Sequence, residues 1–338
     1  MDNLLLNDVP IEMLEGKTVL LTGATGLIGT HFLYAFRDIY NRGVNFKVIA
    51  VGRSVPPNHL GVLLDMPFVQ YHQANLTSDK LFFALWDIDI IIHAASYGQP
   101  GKFIEYATET VNLNTSVVID LFKALAEDGK FLFLSSSEVC SGLYDMPIAE
   151  DMIGTTTPYH PRACYIESKR CGEAIVNLYR GNGVDAKSVR LCLAYGEGTR
   201  ADDKRVLNEL IRKALVTGKI ELLDGGQSIR TYCYVGDAVN MMLRILLEGR
   251  HPVYNVGGTE AINIAYLASL IGKLTNTDVV FPTINQSLEG SPDIVKISLQ
   301  RYLDEFGERE FVSLEEGLGR TINYQKELYG NTPVKEGF

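Results

Sequence analysis

Thr18-Val-Leu-Leu-Thr22 runs straight into Gly23-Ala-Thr-Gly26-Leu-Ile-Gly29, and apolar residues at helical spacing follow to about Tyr40. A short apolar strand, a glycine turn and a helix, in that order, form the opening unit of a parallel sheet wound with helices. Glycines let the chain turn sharply and let a phosphate come close to the backbone. The start of the helix adds free N–H groups and partial positive charge. The stretch therefore predicts a dinucleotide site at Gly23, Gly26 and Gly29, with Leu27 and Ile28 between the last two. The spacing is G-x-x-G-x-x-G, not the G-x-G-x-x-G of many dehydrogenases.

Further apolar runs predict strands over 46–51, 68–72, 89–93, 130–134 and 186–193. Helices are predicted over 105–127 and 163–180. Continuous apolar strands alternating with helices indicate an α/β fold, a doubly wound parallel sheet covered on both faces. After Tyr195 the rhythm changes to glycine-rich loops over 196–200 and 223–226, with helices over 205–216, 236–247 and 314–328. The expected division is a Rossmann domain over 1–195 and a smaller C-terminal substrate domain over 196–330, with some segments interleaved. Trp86 is expected in the core, and the tail after Gly330 is expected to fray.

The chain has 338 residues and a formal charge of −10, without a run of Lys or Arg, so nucleic acid and anionic membrane are poor partners. A phosphate ligand would need a local positive field. The five cysteines (Cys140, Cys164, Cys171, Cys192, Cys233) include no C-x-x-C pair, which argues for reduced thiols and against a zinc site. The histidines show no metal-ligand spacing, and His93 reads as a packed residue near the cofactor. No basic, apolar leader and no long apolar span is visible, so a cytoplasmic location is expected.

Three further segments carry chemistry. Val51-Gly52-Arg53-Ser54 ends the second strand without the carboxylate that usually holds an NAD ribose. A guanidinium there suits a 2′-phosphate, so Arg53 leans to NADP(H). Tyr165-Ile-Glu-Ser-Lys169 places a phenol and an ammonium on one helix face, where the charge is expected to lower the phenol pKa. Such a phenol can take a proton from a sugar hydroxyl while hydride leaves the same carbon. Leu134-Ser-Ser-Ser-Glu138 ends the fifth strand, where doubly wound sheets bind ligands. Ser136 suits a substrate hydroxyl, and Ser137 with Glu138 suits neighbouring carbons. Ala94 and Ala95 lie at the end of the fourth strand, and Tyr97 just beyond is a candidate substrate contact.

These motifs resemble the extended short-chain dehydrogenase/reductase family, in its nucleotide-sugar epimerase/dehydratase group. The likeness runs from the glycine turn to about residue 275. The segments closest to the UDP-glucuronate decarboxylase branch are Ser136-Ser-Glu-Val139, Pro161-Arg-Ala-Cys-Tyr165, Asp203-Lys-Arg-Val206 and Arg230-Thr-Tyr-Cys-Tyr-Val-Gly-Asp237. The resemblance implies NAD or NADP, a nucleotide-diphosphate sugar and a homodimer. It implies Ser136 at the C4 hydroxyl, Tyr165 as base with Lys169, and Glu138 with Ser137 at C5 and C6. It also implies Arg205 and Arg230 on the substrate, and Asn114 in the cofactor half. Leu193 departs from a commonly found Asn, and Cys140-Ser141-Gly142 departs from Tyr-Gly.

Oxidation at C4 is the implied first step. With a C6 carboxylate the product is a β-keto acid that loses carbon dioxide, and this decarboxylase-like course is the reading preferred. Return of hydride to the other face gives 4-epimerisation, elimination at C5 and C6 gives 4,6-dehydration, and a ready-made ketone needs only reduction. A redox-sensing NAD(P)-binding module without turnover is the alternative from another class.

Overall fold

The computed structural model describes residues 6, 8–56, 60–79, 87–144, 146–282 and 294–330. Trp86 and the tail beyond Gly330 lie outside the described residues. In chain order the strands of the first half are β1 (Thr18–Thr22), β2 (Lys47–Gly52), β3 (Val69–Gln73), β4 (Ile88–His93), β5 (Leu125–Ser136) and β6 (Asp185–Leu191). Its helices are α1 (Leu27–Asn41), α2 (Gly61–Leu64), α3 (Pro100–Glu105), α4 (Ala107–Asn114), α5 (Ser116–Phe122) and α6 (Ala163–Gly181). There follow β7 (Leu193–Tyr195), α7 (Val206–Arg212), β8 (Lys219–Glu221), β9 (Ile229–Tyr234), α8 (Val235–Glu248), β10 (Val253–Val256) and β11 (Ala261–Asn263). The last elements are α9 (Ile264–Thr275), β12 (Asp278–Val280), β13 (Ile294–Val295), α10 (Gln300–Phe306) and α11 (Leu314–Gly330).

Seven parallel strands form the large sheet in the order β10-β6-β5-β4-β1-β2-β3. Alternate side chains feed two separate cores, as the two-residue period of a strand requires. Val19 and Leu21 of β1, and Leu132 and Leu134 of β5, join the core under α1 and α8. Leu20, Phe131 and Phe133 face the other core, with Val118 and Leu121 of α5 and Val176 of α6. Both faces are dry, which is why these strands read as unbroken apolar runs.

The stretch expected as one helix over 105–127 holds the last residue of α3 and two short helices, α4 and α5, and its last residues already belong to β5. The breaks fall at Tyr106 and Thr115, whose backbone leaves the helical region. Around them Thr110, Thr115 and Ser116 turn their hydroxyls back onto the carbonyls of Tyr106, Val111 and Asn112. Such back-bonding competes with the helical ladder and bends it. The strand expected over 186–193 is also divided. β6 stays in the large sheet, Cys192 turns the chain, and β7 pairs with β9 in a second sheet of order β11-β9-β13.

A cut at residue 195 is therefore crossed in both directions. β7 precedes it yet belongs to the second sheet, whereas β10 follows it yet forms an edge of the large one. The smaller half packs α7, α9 and α11 around Leu210, Ile211, Leu267, Ile271 and Leu318. A two-stranded pair of β8 and β12 completes it. No helix among the described residues is long and apolar enough to cross a membrane.

Candidate active site

A groove of about 1160 Å³ opens along the C-terminal ends of β1 to β6 and is closed by β7, α7 and β9. Strand order places a topological switch between β4 and β1, where such sheets bind ligands. At that switch Gly23 adopts φ +69°, and a side chain there would meet the backbone of Ala94 and Ala95 at 2.8 Å. A Cβ on Gly29 would lie 2.2 Å from the Gly23 carbonyl oxygen. Gly26 starts α1 with no side-chain cap, so the first amides of the helix face the groove unpaired within it. Leu27, Ile28, Arg53, Ala94 and Ala95 all line this end.

His93 holds the β4 side of the turn. Its Nε2 faces the Leu113 carbonyl at 2.8 Å, so that nitrogen carries the proton and Nδ1 accepts from the Thr22 hydroxyl at 2.8 Å. Thr22 in turn accepts the Ala95 N–H. Burial pushes the His93 pKa down to about 4, so the ring is a neutral strut at ordinary pH. Asn114, expected in the cofactor half, does not reach the groove wall. It is fully buried and its Nδ2 donates to Ser168 Oγ on α6 at 2.9 Å.

Tyr165 and Lys169 come from the first turns of α6, and Ser136 comes from the end of β5. The Tyr165 ring stacks on Phe103 at 4.5 Å, and the Ser136 side chain lies close enough to its hydroxyl to favour the phenolate. Lys169 is buried, donates from Nζ to the Leu134 carbonyl at 2.6 Å, and lies 5.8 Å from the Tyr165 ring centre. The lowered phenol pKa expected from the ammonium is not what burial produces. Desolvation outweighs the Ser136 contact and pushes Tyr165 up to about 12. The same burial pushes Lys169 down to about 7.

Beyond Tyr165, a single 3₁₀ turn (Ser137–Cys140) carries Ser137 and Glu138 along the groove. Ser136 Oγ accepts the Glu138 N–H at 3.2 Å and so caps this turn. Arg162, just before α6, donates from Nη1 to Glu138 Oε1 at 2.6 Å. Glu138 Oε2 is buried with no hydrogen-bond partner. The sequence alone gives Arg162 no role, because only the fold brings the β5 turn against the start of α6. Phe103 was likewise missed, since nothing in its own segment marks it as the stacking partner of Tyr165.

Arg205, Arg230 and Tyr97 also line the groove. The Arg205 guanidinium forks onto Asp203, with Nε–Oδ distances of 3.1 and 3.0 Å. Burial works to raise the Asp203 carboxyl, but the Arg205 bonds and charge outweigh it and hold the pKa below the usual range. Arg230 Nη1 donates to the Ile229 carbonyl at 2.8 Å. Tyr97 accepts a hydrogen bond from Arg53 Nη1 and stacks on Tyr106. No cluster of three or more His, Cys, Asp or Glu suited to a metal occurs among the described residues.

Comparison with known proteins agrees with this arrangement. Residues 19–257 match the sequence model of the NAD dependent epimerase/dehydratase family. UDP-glucuronic acid decarboxylase 1 of Xenopus tropicalis is 26% identical over 330 residues, covering 94% of this chain and 75% of that protein. A dTDP-4-dehydro-6-deoxy-D-allose reductase of a Streptomyces species is 28% identical over 267 residues, covering 76% of this chain and 80% of its own. The crystal structure of UDP-glucuronic acid 4-epimerase from Bacillus cereus, in complex with UDP-glucuronic acid and NAD, shares the fold. Its TM-score is 0.77 at 22% identity, covering 92% of this chain and 100% of that one. A dinucleotide fits the β1–α1 end of the groove: the Gly23 and Gly29 positions exclude any side chain, and the open α1 terminus suits a pyrophosphate.

Proposed function

The chain belongs to the NAD dependent epimerase/dehydratase family, and from that premise we propose that it oxidises a nucleotide-diphosphate sugar at C4 and decarboxylates it, as a UDP-glucuronate decarboxylase does. One observation carries this reading: Tyr165, Ser136 and the Arg162-held Glu138 line the same groove as the glycine turn. A nicotinamide, when bound, supplies the hydride acceptor and donor at C4.

Tyr165 takes the proton of the C4 hydroxyl in its phenolate form, which a cationic Lys169 beside the ring favours against the upward push of burial, and Ser136 stands beside that oxygen. Lys169, fixed on the Leu134 carbonyl, sets the electrostatics behind the ring. A C4 ketone beside a C6 carboxylate is a β-keto acid, whose C5–C6 bond breaks with loss of carbon dioxide. The electron pair moves to the C4 oxygen, where Tyr165 and Ser136 hold the developing charge. Glu138 lies beside the carbons at which the proton returns. Arg205 and Arg230 suit the diphosphate.

Arg53 in place of a carboxylate at the end of β2 favours NADP(H). The same observation favours a second reading, NADPH-dependent reduction of a 4-keto sugar, the activity carried in the name of the Streptomyces relative. Ser137, where an Asp would serve a leaving hydroxyl, tells against a 4,6-dehydration of the dTDP-glucose type. We further propose a homodimer, for which the exposed apolar side chains Ile104, Ile119 and Leu178 on α3, α5 and α6 offer a surface.

The test is a panel of UDP-, GDP-, CDP- and dTDP-sugars followed by mass spectrometry and NMR. The expected result is carbon dioxide and a UDP-pentose from UDP-glucuronate. A C4-inverted uronic acid, or turnover of 4-keto sugars alone, would replace the decarboxylase reading.

A further inference from the structure

Strand order places β1 between β4 and β2, so Arg53 just past β2 and Tyr97 just past β4 stand on opposite sides of the glycine turn. Those two strands are about 10 Å apart, twice the usual spacing. Neither side chain spans that gap alone, yet they meet. Arg53 Nη1 donates to the Tyr97 hydroxyl. The guanidinium carbon lies 5.1 Å from the Tyr97 ring centre and 5.9 Å from that of Tyr106. The two rings stack at 5.0 Å and 9°.

The foot of this arch is tied down. Gln73 Nε2 donates to the Arg53 carbonyl at 3.3 Å, and the Tyr71 hydroxyl donates to the Ser54 carbonyl at 2.8 Å. An exposed arginine gives up side-chain freedom when it is held in one pose, and an isolated surface contact returns little for it. Here the contact crosses the groove, and Arg53, Tyr97 and Tyr106 all line it.

We propose that Arg53 and Tyr97 form a latch over the adenosine–pyrophosphate stretch of the dinucleotide, with Tyr106 as the stacking support of Tyr97. The proposal rests on the dinucleotide reading of the glycine turn. It assigns Arg53 a role toward either dinucleotide, separate from recognition of a 2′-phosphate. A reaction that reduces and reoxidises its dinucleotide within one turnover gains from slow release, because an escaped reduced form leaves a stranded ketone.

Release of NADH and of NADPH, followed by the fluorescence of each in stopped-flow displacement, tests the latch on the full chain. Arg53→Ala and Tyr97→Phe should each speed release of both dinucleotides about tenfold, the scale of one charge-assisted hydrogen bond. The double variant should release no faster than Arg53→Ala, because both changes remove the same bond. A silent Tyr97→Phe overturns the latch and leaves the dinucleotide reading intact, and so do independent effects that multiply in the double variant. Parent protein that binds neither dinucleotide overturns both.

Discussion

Glu138 is held at one carboxylate oxygen by Arg162 and is unpartnered at the other. That asymmetry leaves the groove one carboxylate oxygen with no protein partner, the oxygen on which the proposed proton transfer rests. Glu138→Gln keeps the shape and loses the charge. It should lower decarboxylation by about 10²–10⁴-fold, the range for one proton-transfer group, while dinucleotide affinity stays unchanged by titration. Turnover retained at the parent rate would point to epimerisation, which needs no proton at C5. Arg53→Ala should weaken NADPH affinity more than NADH affinity. Equal losses would mean that Arg53 does not read the 2′-phosphate. The placing of Ser136, Tyr165 and Lys169 around one groove was legible from the end of the fifth strand and the helix spacing that carry them. The upward pKa of Tyr165 was not, because it comes from burial against Phe103 and the walls of the groove.

At the scale of elements, the β1 turn and the start of α1 form one device. A methyl on Gly29 would press on the Gly23 carbonyl and the Ala24 backbone, neither of which can rotate away. Gly29→Ala should therefore lower stability by about 1–3 kcal/mol and abolish dinucleotide binding, as read by thermal melting and fluorescence titration. An unchanged melt with full binding would show that the turn relaxes freely. β1 matched its sequence reading, and β2 and β4 came within a residue, because strands buried on both faces leave unbroken apolar runs; β3, a half-exposed edge strand, also came within a residue. The helices after β4 were misread as one, since apolar spacing persists through Thr115 while the hydroxyls break the ladder. β7, β8, β11, β12 and β13 have two or three residues each, too few to show any period.

For the whole molecule, the buried His93 links stability to pH. Its folded pKa of about 4 lies below the ordinary value of 6.5, so between these limits the unfolded chain binds a proton that the folded chain refuses. Stability should be full above pH 6.5 and fall by about 3 kcal/mol as pH drops toward 4, as read from urea midpoints across that range. His93→Gln should flatten the dependence, and a parent curve that is already flat would contradict the neutral strut. Sedimentation should give about twice the 37.5 kDa chain mass, with Leu178→Glu shifting it toward the monomer. A monomeric parent chain would remove the homodimer from the account. The small half was legible only as a change of rhythm, because β10 and α8 return to the large sheet and no composition shift marks their return. In the proposed reaction Tyr165 removes the C4 hydroxyl proton as the nicotinamide is reduced. Mixing dinucleotide-loaded protein with UDP-glucuronate, and following reduced-nicotinamide absorbance in one turnover, tests it most directly. A rapid rise is expected in the parent protein and none in Tyr165→Phe, with the dinucleotide still bound in both; an equal rise in the variant would contradict the role of Tyr165 as base.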